Sequence, residues 1–113
     1  MEKRVFRIVG LDDWHKALET GQVPRCGSDE RDGFVHLSTA QTYLQTANLY
    51  FEVSEKPVVL EIDPSMLGDD LKWEAVQSRE GQEFPHLYAP GIVLASVRAV
   101  IDLEHTQQGF VCG

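Results

Sequence analysis

The hydrophobic and polar positions along this chain predict five or more strands. Residues 4–9 are rich in β-branched and aromatic side chains and stop at a glycine, which is typical of a strand. Residues 57–62 form an almost continuous apolar run, which predicts a central strand covered on both faces. Residues 71–76 alternate between apolar and polar side chains and predict a half-buried strand, while residues 92–103 predict one or two closing strands.

Two early segments have the periodicity of helices instead. Residues 11–21 predict a short helix whose apolar stripe is formed by Leu11, Trp14 and Leu18. Residues 39–51 predict a second helix, with a buried stripe of Ala40, Tyr43, Leu44, Ala47, Tyr50 and Phe51. The polar residues 22–33 between them predict a loop. This order predicts an α+β fold with two early helices and a largely antiparallel sheet, in one domain spanning residues 1–113.

Composition and charge narrow the classes of partner. The 113 residues carry a net charge of −8 and no cluster of Lys or Arg, which disfavours extended nucleic-acid binding but leaves room for a small anion in a local pocket. No segment is long and apolar enough for a membrane span. Cys26 and Cys112 predict free thiols and a cytoplasmic protein, and no Cys/His cluster has the spacing of a metal site.

The segment D-G-F-V-H-L-S-T, residues 32–39, contains the first candidate site. Alternation along a strand at residues 34–38 would place Phe34, His36 and Ser38 on one face. Ser38 and Gln41 have the spacing of a capping box, which puts His36 beside a helix N-terminus, where a phosphate or carboxylate is favoured. In the alternative interpretation, His36 is a core histidine and Ser38 is only a cap.

The segment F-P-H-L-Y, residues 84–88, repeats this pattern. Alternation would place Phe84, His86 and Tyr88 on one face of a short strand, which Pro85 predicts to be an edge strand. Two such strands can clamp a planar ring between aromatic side chains while the imidazoles bind a ribose or a phosphate. Alternatively, His86 and Tyr88 are structural residues.

Four further residues are weaker candidates. Glu74 follows Trp73 in a predicted strand and is most simply a solvated outward residue. Arg79, in the loop that follows, is able to bind an anion. We expect His15 and His105 to lie at the surface.

The motifs F-R-I-x(5)-W, D-G-F-V-H-L-S-T-A, L-K-W-E, S-R-x-G and F-P-H-L-Y resemble those of the family called domain of unknown function 952, over nearly the whole chain. The resemblance implies a fold similar to that of ADP-ribosyltransferases, a split and largely antiparallel β-sheet core that wraps nicotinamide adenine dinucleotide (NAD) in an open cleft. Fold and ligand class follow here by analogy alone.

A more distant likeness is to RNA 2′-phosphotransferases, which use NAD and carry R-x-H-V-H-L-S before a helix and a P-V-V-L strand. In that alignment His36 and Ser38 match, Asp32 stands where the catalytic arginine would be, and Phe34 replaces the first histidine. Arg7 keeps a positive charge at a position similar to the first nucleotide-contacting motif of the fold.

These resemblances imply a transferase or hydrolase that acts on NAD or an ADP-ribosyl group. Arg7, His36, Ser38, Tyr88 and Arg79 would bind the nucleotide. The catalytic residues would be His36, His86 and a carboxylate, for which Glu74 and Glu83 are the candidates and Glu74 is our choice. The alternatives are a non-catalytic nucleotide-binding module and an interaction protein whose F-P-H-L-Y edge strand pairs with a partner.

Overall fold

The computed structural model describes residues 4–76 and 82–112, and within them it has nine strands and three α-helices. The strands are β1 (Val5–Val9), β2 (Gln22–Pro24), β3 (Val35–His36), β4 (Val58–Ile62), β5 (Leu71–Val76), β6 (Gln82–Leu87), β7 (Gly91–Val93), β8 (Val97–Thr106) and β9 (Gly109–Cys112). The helices are α1 (Leu11–Thr20), α2 (Gly27–Asp32) and α3 (Tyr43–Tyr50). None of these helices has the length and apolarity needed to cross a membrane.

The largest sheet has the order β1-β4-β8-β9, with antiparallel pairing throughout. The predicted central strand is confirmed, because β4 lies between β1 and β8 and four of its five residues are buried. Alternating side chains of β1 and β4 enter two cores: Leu60 packs into one with Leu37 and Leu87, and Phe6 and Val59 pack into the other. Burial on both faces explains the unbroken apolar run.

A second antiparallel sheet, of order β3-β6-β5, carries both histidine motifs. The prediction of an edge strand at residues 84–88 is wrong, since β6 lies between β3 and β5. The carbonyl of Pro85 accepts a hydrogen bond from the Leu37 amide, 3.1 Å away, so its polar groups face the β3 side. Proline has no N–H to donate, and the missing hydrogen bond would have been to Leu37, just beyond the end of β3. Pro85 therefore removes little from the hydrogen bonding between β3 and β6.

Two hydrogen bonds join this sheet to the larger one. The Phe6 amide donates to the Ser38 carbonyl at 2.9 Å, and the Ser38 amide donates to the Phe6 carbonyl at 2.7 Å. The chain thus leaves β3 and pairs at once with β1. This bridge fixes the sheet with the histidines against the main core.

Residues 22–33 are not the predicted loop, because they contain β2 and α2. Strand β2 pairs with β7, and the pairing is so close at Gly91 that a Cβ atom there would lie 2.5 Å from the Val23 carbonyl oxygen. Helix α2 begins where the Asp29 carboxylate accepts the Cys26 amide at 2.9 Å, and it ends at Gly33, whose φ of 83° suits glycine. The fold is α+β and largely antiparallel as predicted, and the described residues form three α-helices where two were predicted.

Helix α3 begins at Tyr43, four residues later than the helix predicted at residues 39–51. The proposed capping box of Ser38 and Gln41 is wrong. The backbone of Ser38 is committed to Phe6, so the N-cap of α3 is Thr42, whose hydroxyl accepts the Thr39 amide at 3.0 Å. The stripe is also narrower than predicted: Ala47 is buried, but Tyr50 is 68% exposed. In α1 the stripe is likewise shorter, because Leu18 is exposed.

Candidate functional site

Five side chains gather on one face of the β3-β6-β5 sheet, and we call them the histidine face: Phe34, His36, Glu74, His86 and Tyr88. Strand register brings the two histidines together, because His36 and His86 are Cα partners in the β3–β6 pair and partners share a face. Their ring centroids are 5.9 Å apart. Glu74 comes from β5, on the other side of β6.

Phe34 occupies the centre of this face. Its ring stacks on His86 with centroids 4.0 Å apart and lies 4.6 Å from the ring of His36 and 5.3 Å from that of Tyr88. These distances are those of favourable aromatic contacts. The aromatic clamp predicted for a ligand therefore holds a side chain of the protein itself.

His36 lies between two carboxylates of helix α2. Its Nδ1 is 2.7 Å from Asp29 Oδ1, and its Nε2 is 2.9 Å from Asp32 Oδ2. Both contacts are hydrogen bonds only when each ring nitrogen carries a proton. The His36 side chain is 36% exposed, so it is accessible to a ligand while its orientation is fixed from both sides.

Asp29 is fully buried and is the centre of a polar network behind the histidine face. Its carboxylate accepts hydrogen bonds from the amides of Cys26 and His36 and pairs with Arg7 Nη2 at 2.7 Å. Burial alone would raise the pKa of Asp29, but the His36 hydrogen bond and the Arg7 charge outweigh it and hold that pKa well below its ordinary value of 3.8. We therefore expect Asp29 to be ionised at neutral pH.

His86 has a different support. Its Nδ1 donates to Glu74 Oε1 at 2.9 Å, and the Tyr88 hydroxyl donates to the same oxygen at 2.6 Å. The bond from Tyr88, followed by that from His86, lowers the pKa of Glu74, and the same carboxylate raises the pKa of Tyr88. Among the described residues, no group bonds to His86 Nε2 or to Glu74 Oε2, which leaves one nitrogen and one oxygen for a ligand.

The structure thus brings together His36, His86, Glu74 and Tyr88 of the predicted site residues. Arg7 is buried behind them, where Nη1 donates to the His36 carbonyl at 2.8 Å while Nη2 pairs with Asp29. Ser38 is buried too, and its hydroxyl faces Thr46 of α3. Arg79 lies outside the described residues.

The sequence interpretation missed Asp29 and gave Asp32 no role at the site, while it expected Phe34 to be part of an aromatic clamp for a ligand. A signal for Asp29 was present, because an acid three residues after Cys26 and four before Gly33 fits the third position of a short capped helix. Nothing in the local pattern indicates that this carboxylate reaches His36. The predictions that His15 and His105 are exposed and that both cysteines are free thiols are confirmed.

Two open surface pockets of the described part lie away from the histidine face. The larger, about 630 Å³, lies between the end of α3 and the turn that joins β8 to β9. The other, about 340 Å³, lies beside Leu11 and Val58. Among the described residues, no group of three or more His, Cys, Asp or Glu side chains has the arrangement of a metal site.

The fold and the paired histidines define a small α+β protein with an imidazole-rich sheet face. The family described as "Protein of unknown function (DUF952)" matches residues 8–100, so the chain belongs to that family. Its structure is similar to the crystal structure of protein CC0527 from Caulobacter crescentus, with a TM-score of 0.84 and 33% identity over 97% of this chain and 93% of that one. The solution NMR structure of CC0527 is also similar, with a TM-score of 0.78 and 33% identity over 95% of this chain and 90% of that one. No functionally curated protein matches the chain.

Proposed function

We propose that this protein binds an NAD or ADP-ribosyl ligand at the histidine face and acts on it as a transferase or hydrolase. The observation that carries the proposal is that two imidazoles, each hydrogen-bonded to a carboxylate, flank one phenyl ring on a single sheet face. Carboxylate-oriented imidazoles are typical of general acid–base sites. The partly exposed aromatic rings offer a surface for a planar base.

His86 and Glu74 are the best placed to do chemistry. In a hydrolysis, the bond between the ribose carbon and nicotinamide breaks, and nicotinamide leaves with the electron pair. A water oxygen then bonds to that carbon, while its proton passes to His86 Nε2. The Glu74 carboxylate, 41% exposed, supplies the negative charge that favours the oxocarbenium-like transition state. In a transfer, the oxygen of an acceptor takes the place of water.

Arg7 acts in this proposal as a positioning residue. Its guanidinium is engaged by Asp29 and by the His36 carbonyl, so it sets the orientation of His36 and does not touch a ligand phosphate. The bridge between two antiparallel sheets supports a split-sheet, ADP-ribosyltransferase-like architecture. The free thiols of Cys26 and Cys112 support a cytoplasmic location.

The second candidate function is a non-catalytic nucleotide-binding module. Both ring nitrogens of His36 already have carboxylate partners, and Glu74 Oε1 already accepts two hydrogen bonds. A site so well satisfied is able to recognise a ligand without reacting. An interaction protein that pairs through residues 84–88 is not favoured, because β6 has neighbours on both sides.

An NMR titration with NAD, ADP-ribose and nicotinamide tests binding. We expect saturable shifts of the His36 and His86 ring signals, while those of the exposed His15 and His105 stay in place as internal controls. Release of nicotinamide from NAD then separates the two candidates: loss of turnover in His86→Gln but not in His105→Gln supports catalysis, and binding without turnover supports the module. Absence of shifts at millimolar ligand would refute both.

A further inference from the structure

We infer that Asp32 determines the ligand specificity of the histidine face, by admitting a hydroxyl-bearing, neutral or cationic group beside His36 and excluding a phosphate. The inference rests on the proposed function and names the part of the ligand that meets His36. It predicts that a nicotinamide riboside unit, and not a phosphate, lies at this histidine.

The first step is the charge at the exposed side of His36. Asp32 Oδ2 lies 2.9 Å from the His36 Nε2 atom, and the Asp32 side chain is 33% exposed, so a ligand that reaches this nitrogen also meets the carboxylate. A phosphate there would either face a like charge or have to displace Asp32. Like charges in contact disfavour binding.

The second step is that the two arginines beside His36 are already paired with its carboxylates, while Lys72 lies opposite His86 on β5, two strands away from β3. Arg7 is buried and paired with Asp29, the carboxylate on the other side of His36. Arg31 donates to both oxygens of Asp32, at 3.0 and 3.3 Å. A phosphate at His36 would have to share Arg31 with Asp32, because Arg7 is buried.

The third step is that Asp32 keeps room for a hydroxyl donor. An ionised carboxylate offers about four acceptor positions. Arg31 and His36 use three of them, and the side chain is open to solvent. A ribose hydroxyl can donate to the remaining position, a mode in which carboxylates commonly recognise ribose.

Glu74 adds a second carboxylate acceptor to the histidine face. Its Oε2 makes no hydrogen bond to a described residue, and its side chain is partly exposed. The Tyr88 hydroxyl bonds to Glu74, and the Tyr88 ring lies 5.3 Å from that of Phe34. Carboxylate and aromatic rings together favour a cationic heteroaromatic ring such as the pyridinium of nicotinamide riboside.

The test compares nicotinamide riboside with inorganic pyrophosphate, followed by the His36 ring signals in NMR titrations. For the wild-type protein we expect nicotinamide riboside to bind at least about tenfold more tightly than pyrophosphate. In Asp32→Lys we expect this order to reverse. Glu30→Lys is the matched control, because it makes the same charge change on the same helix, at a side chain that is 69% exposed and pairs with Arg25. We expect it to keep the wild-type order.

The outcomes separate this inference from the proposed function. If pyrophosphate binds the wild-type protein as tightly as nicotinamide riboside, or if Asp32→Lys behaves like Glu30→Lys, Asp32 does not set specificity. Should ADP-ribose still shift both histidine signals in that case, the proposed function stands. If NAD, ADP-ribose and nicotinamide riboside all leave His36 and His86 unshifted, both ideas fall.

Discussion

His36 and His86 occupy paired positions on neighbouring strands, yet their surroundings differ. His36 is held by two carboxylates from α2, one of them fully buried against Arg7. His86 has a side chain only 9% exposed, stacks on Phe34, and bonds to Glu74, whose carboxylate is much more exposed. The more exposed imidazole, His36, is therefore supported by the buried Asp29, whereas the buried imidazole, His86, is supported by the exposed Glu74.

This difference means that the orientation of His36 is fixed, while the hydrogen bonds of Glu74 can change. The support of His36 is tied to the core, so its ring position is set before any ligand arrives. Glu74 faces solvent, so its charge and hydrogen bonds are able to change when a ligand binds. We therefore expect the loss of the buried Asp29 carboxylate to act mainly on stability, and the loss of a hydrogen bond to the exposed Glu74 carboxylate to act mainly on the titration of Glu74.

The largest effect should come from Asp29→Asn. The amide keeps the shape of the side chain but leaves the buried Arg7 guanidinium without a counter-charge. Breaking a buried ion pair on one side costs about 3–5 kcal/mol of unfolding free energy. Urea unfolding at neutral pH measures this loss, with the exposed Asp69→Asn as the control, which we expect to change stability by less than about 0.5 kcal/mol.

The same variant should respond differently to acid. The folded-state pKa of Asp29 lies below its unfolded value, so its stabilisation is complete above the unfolded pKa and is lost as the pH falls through the folded one. The wild-type protein should thus lose stability from about pH 4 downward, and the gap to Asp29→Asn should narrow there. A constant gap, or a loss under about 1 kcal/mol at neutral pH, would show that the carboxylate contributes little.

A smaller effect should distinguish the two histidines. His86→Ala removes a buried ring that stacks on Phe34, and we expect it to cost about 2 kcal/mol of unfolding free energy. His36→Ala removes a more exposed ring and leaves the His36 amide and Arg7 on Asp29, so we expect about 1 kcal/mol. The ordering is checked by thermal or urea unfolding. An equal or larger loss for His36→Ala would make it the structural histidine of the pair.

The smallest effect should come from Tyr88→Phe. The ring stays beside Phe34, but Glu74 loses the hydrogen bond that contributes most to its lowered pKa. We expect the pKa of Glu74 to rise toward its ordinary value of 4.5 while the fold is unchanged. Carboxyl-carbon NMR during a pH titration measures the shift, and Tyr50→Phe, at an exposed tyrosine, is the control. An unshifted Glu74 would mean that His86 alone holds the carboxylate.

Strands could be predicted where their burial produces a recognisable pattern of apolar residues in the sequence. Residues 57–62 indicated β4 because both faces of that strand are buried, and residues 71–76 indicated β5 through alternation. The segment 22–33 failed because β2 is short and α2 is held by tertiary contacts of Asp29, neither of which leaves a hydrophobic period. The prediction from Pro85 was wrong because β3 ends at His36, so the missing proline N–H faces Leu37, beyond the end of that strand.

Only the histidines and aromatic residues of the site could be predicted from the sequence, and the contacts of the carboxylates could not. Motif alternation placed His86 and Tyr88 on one face of their strand and His36 on a face of another strand. The structure adds that all three share a single face, where Phe34 contacts each of them. The carboxylates depend on contacts distant in sequence: Glu74 reaches His86 across a strand pair, and Asp29 reaches His36 only because α2 folds back over β3. Local pattern cannot encode such distances.

The bridge between Phe6 and Ser38 fixes the histidine face to the main sheet, so this face is not built to move over a ligand. Separating the two sheets there would break two backbone hydrogen bonds between buried residues. Buried amide and carbonyl groups left without partners are costly, so we expect such opening to be rare. A ligand therefore meets this surface as it stands, and any closure over it must come from another part of the chain or from the ligand.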